Sequence, residues 1–367
     1  MTRARDLGIG ARWGPSGTYN AITDVPGVRV GHKTLIRGDS VRTGVTVVVP
    51  RQGTAIWQDP VFAASHTLNG NGEFTGLEWI REGGLLETPI ALTNTHSVGV
   101  VRDALVAHQT AQRGPDEEYW ALPVVAETWD GRLNDVNGQH VTAEDLRDAI
   151  DAAAGGPVEE GNVGGGTGMI AHGFKGGIGT ASRVVDDGEG AYTVGVLVQA
   201  NHGTRDRFSV DGVPIGPETA DIPLPGVPGV APGPGRLPDG SGSIIGVIAT
   251  DAPLLPAQCR RLAQRAGLGV GRLGGVGEHW SGDIFLAFAT GNSGLAGAYG
   301  ASDVAEIAIR MLPNRRISQL FAAVVDATEE AILNAILAAR TMVGRDGFVA
   351  PALPADRLRS ILAAVAR

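Results

Sequence analysis

The chain has 367 residues, 43% of them hydrophobic and 19% charged, and a formal net charge of −9. That balance excludes wholesale disorder and argues against a broad nucleic-acid footprint, which needs a basic face. Its 55 glycines point to tight turns and close backbone approaches rather than a helical bundle, and its single cysteine, Cys259, rules out an internal disulfide.

Met1 to Gly10 carries charges and no apolar signal-like core, and no run reaches the ~20 apolar residues of a membrane helix. A soluble cytoplasmic protein is therefore expected. Val28-Arg29-Val30 and Thr46 to Val49 read as strands bounded by Pro26-Gly27 and Pro50. Pro60 to Leu68 and Gly76 to Glu82 read as short helices, and Pro89 to Thr95 as a strand. Val98, Val101, Leu105 and Val106 recur at helical spacing in a segment that ends at Gly114. Leu122 to Thr128 is strand-like. Thr142 to Ala154 reads as a helix, with Thr142 as its cap and Asp145 in an acidic first turn. Gly161 to Gly179 is a glycine-rich tract in which Gly164 to Gly168 predicts backbone packed tightly against a neighbour or lining the active site, and Tyr192 to Ala200 predicts a strand.

Val210 to Gly242 holds eight prolines and little hydrophobic periodicity, which predicts an irregular loop. Structureless stretches of that length are rare inside compact domains and usually serve a function. The loop ends abruptly at Ser243 to Thr250, a buried-strand run. Asp251 reads as the cap of a helix over Leu254 to Ala266 closed by Gly267. Cys259 on that helix reads as a small core residue. Asp283 to Ala289 reads as a strand; Ser302 to Leu312, Ile317 to Val343 and Pro354 to Ala366 read as helices. The irregular mixture of strands and helices predicts an α+β layered fold, with the helical C-terminal third packed over sheet.

Three familiar catalytic signatures are missing. No serine satisfies G-x-S-x-G, no histidine pair satisfies H-E-x-x-H, and Gly164-Gly165-Gly166-Thr167-Gly168 matches neither dinucleotide nor P-loop spacing. His32, His96, His202 and His279 are scattered, and no metal or other cofactor is expected.

The junction Gly242-Ser243 offers different chemistry. As an internal residue Ser243 has no base nearby in sequence. Breaking the Gly242–Ser243 bond would give it a free α-amine, whose ordinary pKa of about 7.7–8.0 suits a general base. One residue would then supply both nucleophile and base. Glycine before the cut removes the Cβ that would obstruct a strained backbone. Ser241 is the competing register; Ser243 is preferred because it abuts the strand.

Several segments, in order from about residue 20 to about residue 290, carry a resemblance: Ile22-Thr23-Asp24-Val25-Pro26-Gly27-Val28-Arg29-Val30-Gly31-His32, Ala126-Glu127-Thr128-Trp129-Asp130-Gly131, Gly173-Phe174-Lys175-Gly176-Gly177-Ile178-Gly179, Val198-Gln199-Ala200-Asn201-His202-Gly203, and Gly242-Ser243-Ile244-Ile245 followed by Ala249-Thr250-Asp251-Ala252-Pro253. Together they resemble the DmpA-type L-aminopeptidase/D-esterase family, which includes β-aminopeptidases and nylon-oligomer hydrolases. The resemblance implies a four-layer αββα sandwich of N-terminal-nucleophile-hydrolase type. It also implies a precursor that cuts itself before the nucleophile, and frequent assembly as a homotetramer. The single catalytic domain would span 1–367, cut into 1–242 and 243–367, with the Pro/Gly-rich loop 210–242 leading to the cleavage site.

Residue by residue, the resemblance implies that Ser243 is the nucleophile and that Ser281 and Asp283 tune its amine. Asn201 would stabilise the oxyanion, a role suited to a neutral amide donor. Glu127 would receive the substrate's free amine. Trp129 stands where some family aminopeptidases have tyrosine; an indole donates a hydrogen bond but accepts none, so the pocket is expected to differ there. The expected substrates are small peptides, amides or esters with a free amine, and neither nucleic acid nor membrane is an expected partner. Two other functions fit the same residues less closely. One is acyl transfer of the ornithine-acetyltransferase type, whose family uses threonine as nucleophile. The other is an unprocessed binding protein of the same fold.

Overall fold

Two β-branched segments, Arg29–Arg37 (β1) and Val41–Val49 (β2), pair antiparallel from Arg29 opposite Val49 to Arg37 opposite Val41. In this computed structural model, which describes residues 2–10, 12–52, 56–113, 118–186, 188–231, 242–295 and 306–365, they open a four-stranded sheet. The next elements in chain order are strand Val61–Gly70 (β3), helix Leu77–Gly83 (α1), and the short strands Leu85–Leu86 (β4) and Ile90–Asn94 (β5). Helix Val98–Ala111 (α2), strand Val124–Thr128 (β6) and helix Ala143–Asp151 (α3) follow. The first sheet has the order β1-β2-β5-β6, and its β5–β6 pair is parallel.

Strands Gly177–Asp186 (β7), Ala191–Ala200 (β8), Ile244–Thr250 (β9) and Gly282–Ala289 (β10) join β3 and β4 in a six-stranded sheet of order β4-β3-β10-β9-β8-β7. Within it only β9 and β10 run parallel. Helix Pro256–Arg272 (α4) links those two strands, and helices Ile317–Ala338 (α5) and Ala355–Val365 (α6) complete the chain.

Side chains alternate along a strand, so a strand buried on both faces feeds two cores. Ile284, Leu286 and Phe288 of β10 enter a core shared with Val48, Leu92 and Ala126 of the first sheet. Phe285, Ala287 and Ala289 face the opposite way, into a core shared with Leu262 and Ala266 of α4 and Ala331 and Ala335 of α5. A third core packs Val45, Val47 and Val125 against Val101 and Leu105 of α2 and Leu146 of α3. The result is helix, sheet, sheet, helix: the expected α+β sandwich of four layers.

Most of the expected elements are present. Thr142 caps α3 by accepting from the Asp145 N–H at 3.4 Å, while an Asp145 carboxylate oxygen accepts from the Thr142 N–H at 2.8 Å. The glycine tract is packed tightly: a Cβ on Gly165 would lie 2.1 Å from the Gln199 side-chain oxygen. Cys259 is buried in the core, which pushes its thiol up to about 12.

Five readings need correction. Pro60 to Leu68 is not helical; it lies mostly in β3, whose Val61 and Ala63 fill the inter-sheet core. Asp251 does not cap α4, because its carboxylate accepts from the Thr193 N–H at 2.7 Å. The helix starts instead at Pro256, where a missing N–H costs nothing, and the Gln258 side chain accepts from the Leu255 N–H at 3.0 Å. Nor does Gly267 end it: the helix runs to Arg272, and Gly269 allows close approach to α5, where a Cβ would lie 2.8 Å from the Val325 carbonyl oxygen. Helix α5 stops at Ala338, and Met342–Val343 forms a short strand. Of the helix expected over Ser302 to Leu312, residues 306–312 have no regular secondary structure, and 302–305 lie outside the described residues. Within the Pro/Gly-rich loop, a two-residue hairpin and a short helix, Ile215–Glu218, interrupt otherwise irregular chain. The competing Ser241 lies outside the described residues. No described helix is long and apolar enough to cross a membrane.

Candidate active site

Ser243 immediately precedes β9, and the strand ladders decide its neighbours. Ile244 pairs with Ala200 on the antiparallel side and with Asp283 on the parallel side. Asn201, one residue beyond β8, therefore falls opposite Ser243, and its N–H donates to the Ser243 carbonyl oxygen at 3.0 Å. On the other side the Gly282 N–H donates to Ser243 Oγ, also at 3.0 Å. The buried hydroxyl is thus held at the head of a rigid strand.

Ser281 and Asp283 flank that glycine. Ser281 Oγ donates to Asp283 Oδ1 at 2.5 Å, and both side chains are fully buried. Asp283 Oδ2 has no hydrogen-bond partner among the described residues. Burial pushes the Asp283 carboxyl up to about 6; the Ser281 hydrogen bond opposes this, and the charge of Glu278 adds to it. The β3–β10 register shifts between Asp283 and Ile284, a bulge of the kind that re-aims side chains beside functional sites.

Asn201 has a defined orientation. Its Oδ1 accepts from the Ile170 N–H at 2.7 Å, so Nδ2 is the end that lies toward Gly242, where it donates to the Trp129 carbonyl oxygen at 2.8 Å. Gly242 lies against the same residue. A Cβ there would be 1.9 Å from the Asn201 carbonyl oxygen and 2.8 Å from Nδ2. Space, rather than a left-handed backbone, is what this glycine supplies.

The opposite wall comes from the first sheet. Glu127 is on β6, paired with Thr93, and is buried. Its Oε1 accepts from the Glu73 N–H at 3.0 Å and its Oε2 accepts from the Thr95 hydroxyl. Burial raises its pKa, and the bonds from Thr95 and the Glu73 backbone oppose the shift. Glu127, Ser243, Gly242 and Trp129 line one cavity of about 360 Å3, together with Gly72 and Trp280. Glu127 and Ser243 thus share one cavity, while Asn201 lies against Gly242 beside it.

Several contributors were not identified from the sequence. Thr95, the Glu73 backbone and the Gly282 N–H belong to the site only through folding. Lys175 stood in one of the resembling segments without a role. It is wholly buried, and its ammonium donates to the carbonyl oxygens of Met169 and Gly176 at 2.8 Å and of Gly166 at 3.2 Å. Burial pulls its pKa down to about 7. It anchors the glycine tract whose Ile170 N–H orients Asn201. The four histidines do not converge on Ser243: none of them lines its cavity. Among the described residues, no group of three or more His, Cys, Asp or Glu side chains is placed to hold a metal ion.

Comparison with known proteins decides the lineage. The chain matches peptidase family S58 over residues 20–350. It belongs to that family. The β-peptidyl aminopeptidase BapA of Sphingosinicella microcystinivorans is 49% identical over 372 residues, covering 98% of this chain and 91% of that protein. A Burkholderia sp. β-aminopeptidase structure superposes with a TM-score of 0.92 at 53% identity, covering 100% of this chain and 99% of the other. The L-aminopeptidase D-Ala-esterase/amidase of Ochrobactrum anthropi, described as a prototype for the serine aminopeptidases and a variant of the Ntn hydrolase fold, gives 0.90 at 44% identity, with coverage of 100% and 99%. The family resemblance seen in the sequence is thereby confirmed. This S58 member is a hydrolase, a serine aminopeptidase of N-terminal-nucleophile type.

Proposed function

We propose that the chain cuts itself between Gly242 and Ser243 and then uses Ser243 to release N-terminal residues from small peptides, amides and esters. One observation carries the reading: Ser243 heads β9 with its Oγ fixed by the Gly282 N–H, and the buried Ser281–Asp283 pair lies one strand away. In the first reaction Ser243 Oγ attacks the Gly242 carbonyl carbon. The acyl group moves from the Ser243 nitrogen to its oxygen, and water hydrolyses the ester. The products are a carboxylate on Gly242 and a free α-amine on Ser243, giving pieces 1–242 and 243–367.

In the second reaction that amine takes the Oγ proton as Oγ attacks the substrate carbonyl. The amide nitrogen leaves with the proton, and water, deprotonated by the same amine, releases the acyl group. Asn201 Nδ2 donates to the developing oxyanion, supported by its orientation through Ile170. Ser281 and Asp283 hold the Ser243 ammonium, for which the unpartnered Asp283 Oδ2 is a ready acceptor. Glu127 pairs with the substrate's ammonium, which compensates an otherwise costly buried carboxylate. Trp129 narrows the adjoining space. Because relatives at 49% and 53% identity are named for β-residues, N-terminal β-amino as well as α-amino residues belong in the substrate range. The reading includes a homotetramer in the cytoplasm.

The test has two stages. Purified protein run under denaturing conditions gives two fragments, the smaller beginning at Ser243, and Ser243→Ala stays whole. A Ser243→Ala chain that still splits at this bond refutes self-cleavage. Processed enzyme is then assayed on amides and their N-acetylated counterparts, in wild type and in Glu127→Gln. Acetylation lowers kcat/KM steeply in wild type and much less in the variant. Equal values for free and acetylated substrates would overturn the role of Glu127.

A further inference from the structure

A second cavity of about 490 Å3 shares Trp129 with the nucleophile's cavity and has Asn201 in its wall. Its size is that of a small-molecule site, roughly 300–1,000 Å3. Ile170, Pro217, Ala220, Ile222 and Leu224 make much of its lining apolar. The wall from Gly216 to Pro225 belongs to the Pro/Gly-rich segment that precedes Ser243. Arg205 fastens it: its buried guanidinium donates to the carbonyl oxygens of Thr219 and Ile222 on the wall and of His172 on the opposite side. That cation is therefore committed to structure.

The lining also carries the half-buried Arg132 and the exposed Asp206. Two of its side chains have buried hydrogen-bonding atoms without a partner among the described residues. They are His202, 2% exposed with both ring nitrogens unpaired, and Thr204 through its hydroxyl. Buried polar groups are normally paired, so such atoms in a cavity wall invite a ligand. Burial holds the His202 pKa well below its ordinary value, leaving a neutral ring with one donor and one acceptor.

We infer that this cavity receives the leaving group of the substrate, an apolar and uncharged amine whose own amide hydrogen-bonds to His202 and Thr204. The inference rests on the aminopeptidase reading. Glu127 and Ser243 share the smaller cavity, so the residue bearing the free amine is held between them. The scissile carbonyl points its oxygen at Asn201, and what lies beyond the scissile bond continues past Asn201 and Trp129 into the larger space.

Two matched substrate series test this on the processed enzyme. One keeps the N-terminal residue and varies the released amine from ammonia to butylamine to leucinamide. The other keeps the released amine and varies the N-terminal side chain. Burial of a butyl chain at roughly the usual gain per methylene predicts a rise of at least about tenfold in kcat/KM from simple amide to butylamide. Leu224 is 53% exposed, so Leu224→Asp is compatible with folding. This variant brings the butylamide-to-amide ratio close to one and leaves the ranking of N-terminal side chains in place. Thr204→Val reduces the preference for leucinamide over an isoamyl amine. A flat response to the released amine, or a Leu224→Asp effect confined to the N-terminal side-chain series, overturns the assignment. If free-amine amides are hydrolysed but the leaving group is ignored, only this inference fails. If processed enzyme hydrolyses no free-amine amide, the aminopeptidase reading fails and takes the inference with it.

Discussion

Replacing Asp283 by asparagine in a Ser243→Ala background measures what it costs to bury a carboxylate without a counter-charge beside Ser243. The structure puts this carboxyl at about 6 against an ordinary 3.8, chiefly because it is buried. At about 1.36 kcal/mol per pH unit that gap is worth at most about 3 kcal/mol. The sign follows from proton binding. Below pH 3.8 both folded and unfolded chains are protonated and there is no cost. Between 3.8 and about 6 the unfolded chain gives up its proton while the folded chain keeps it, so stability falls as pH rises. Above about 6 the loss is complete and constant. The amide introduced by Asp283→Asn does not titrate, so the variant lacks this slope. Urea unfolding of Ser243→Ala, with and without Asp283→Asn, at intervals from about pH 4 to about pH 7 therefore yields a stability difference that moves by up to about 2 kcal/mol in favour of the amide variant. Asp130 and Glu160, both raised to about 7 by burial, titrate in both proteins and cancel from the difference. If the chain cuts itself as proposed, the new Ser243 ammonium supplies the missing counter-charge in the processed wild type, and the downward slope shrinks or reverses. A difference that stays constant with pH in the uncut pair would refute the claim that Asp283 is a buried carboxyl without a counter-charge.

Two further outcomes bear on Gly242 and Asn201. Gly242→Ala places a Cβ 1.9 Å from the Asn201 carbonyl oxygen, so the chain must shift at the scissile bond and self-cleavage slows by at least about tenfold; a gel time course that matches wild type would contradict this. Asn201→Ala removes a preorganised donor, lowering kcat about 10²–10³-fold with little change in KM, and steady-state kinetics with unchanged kcat would remove Asn201 from the oxyanion site.

What could be read directly from the chain was local. The run from Ile244 to Thr250 announces a strand because its apolar residues are continuous and the loop before it is rich in proline and glycine. Thr142 and Asp145 announce a helix start because a capping bond spans three residues. The Gly242-Ser243 junction drew attention because a small residue and a hydroxyl sit where loop becomes strand. Resemblance to a family, spread over several segments, added Asn201, Glu127, Ser281 and Asp283, which no spacing rule would have assembled. Tertiary structure decided the rest. Pro60 to Leu68 can be read as a short helix, yet it becomes β3 because β10 offers it a strand edge, with His66 opposite Phe285. Gly267 reads as a helix stop until α5 arrives to cover the turns beyond it. Lys175 gains a role only when three carbonyls close around its ammonium. Asn201 and Asp283 reach Ser243 through the two ladders of β9, one antiparallel and one parallel. Side-chain periodicity states which face of a segment is buried, but backbone hydrogen bonds are chemically alike along the whole chain. The choice of partner strand and register therefore rests on how whole faces pack, and that choice built the site.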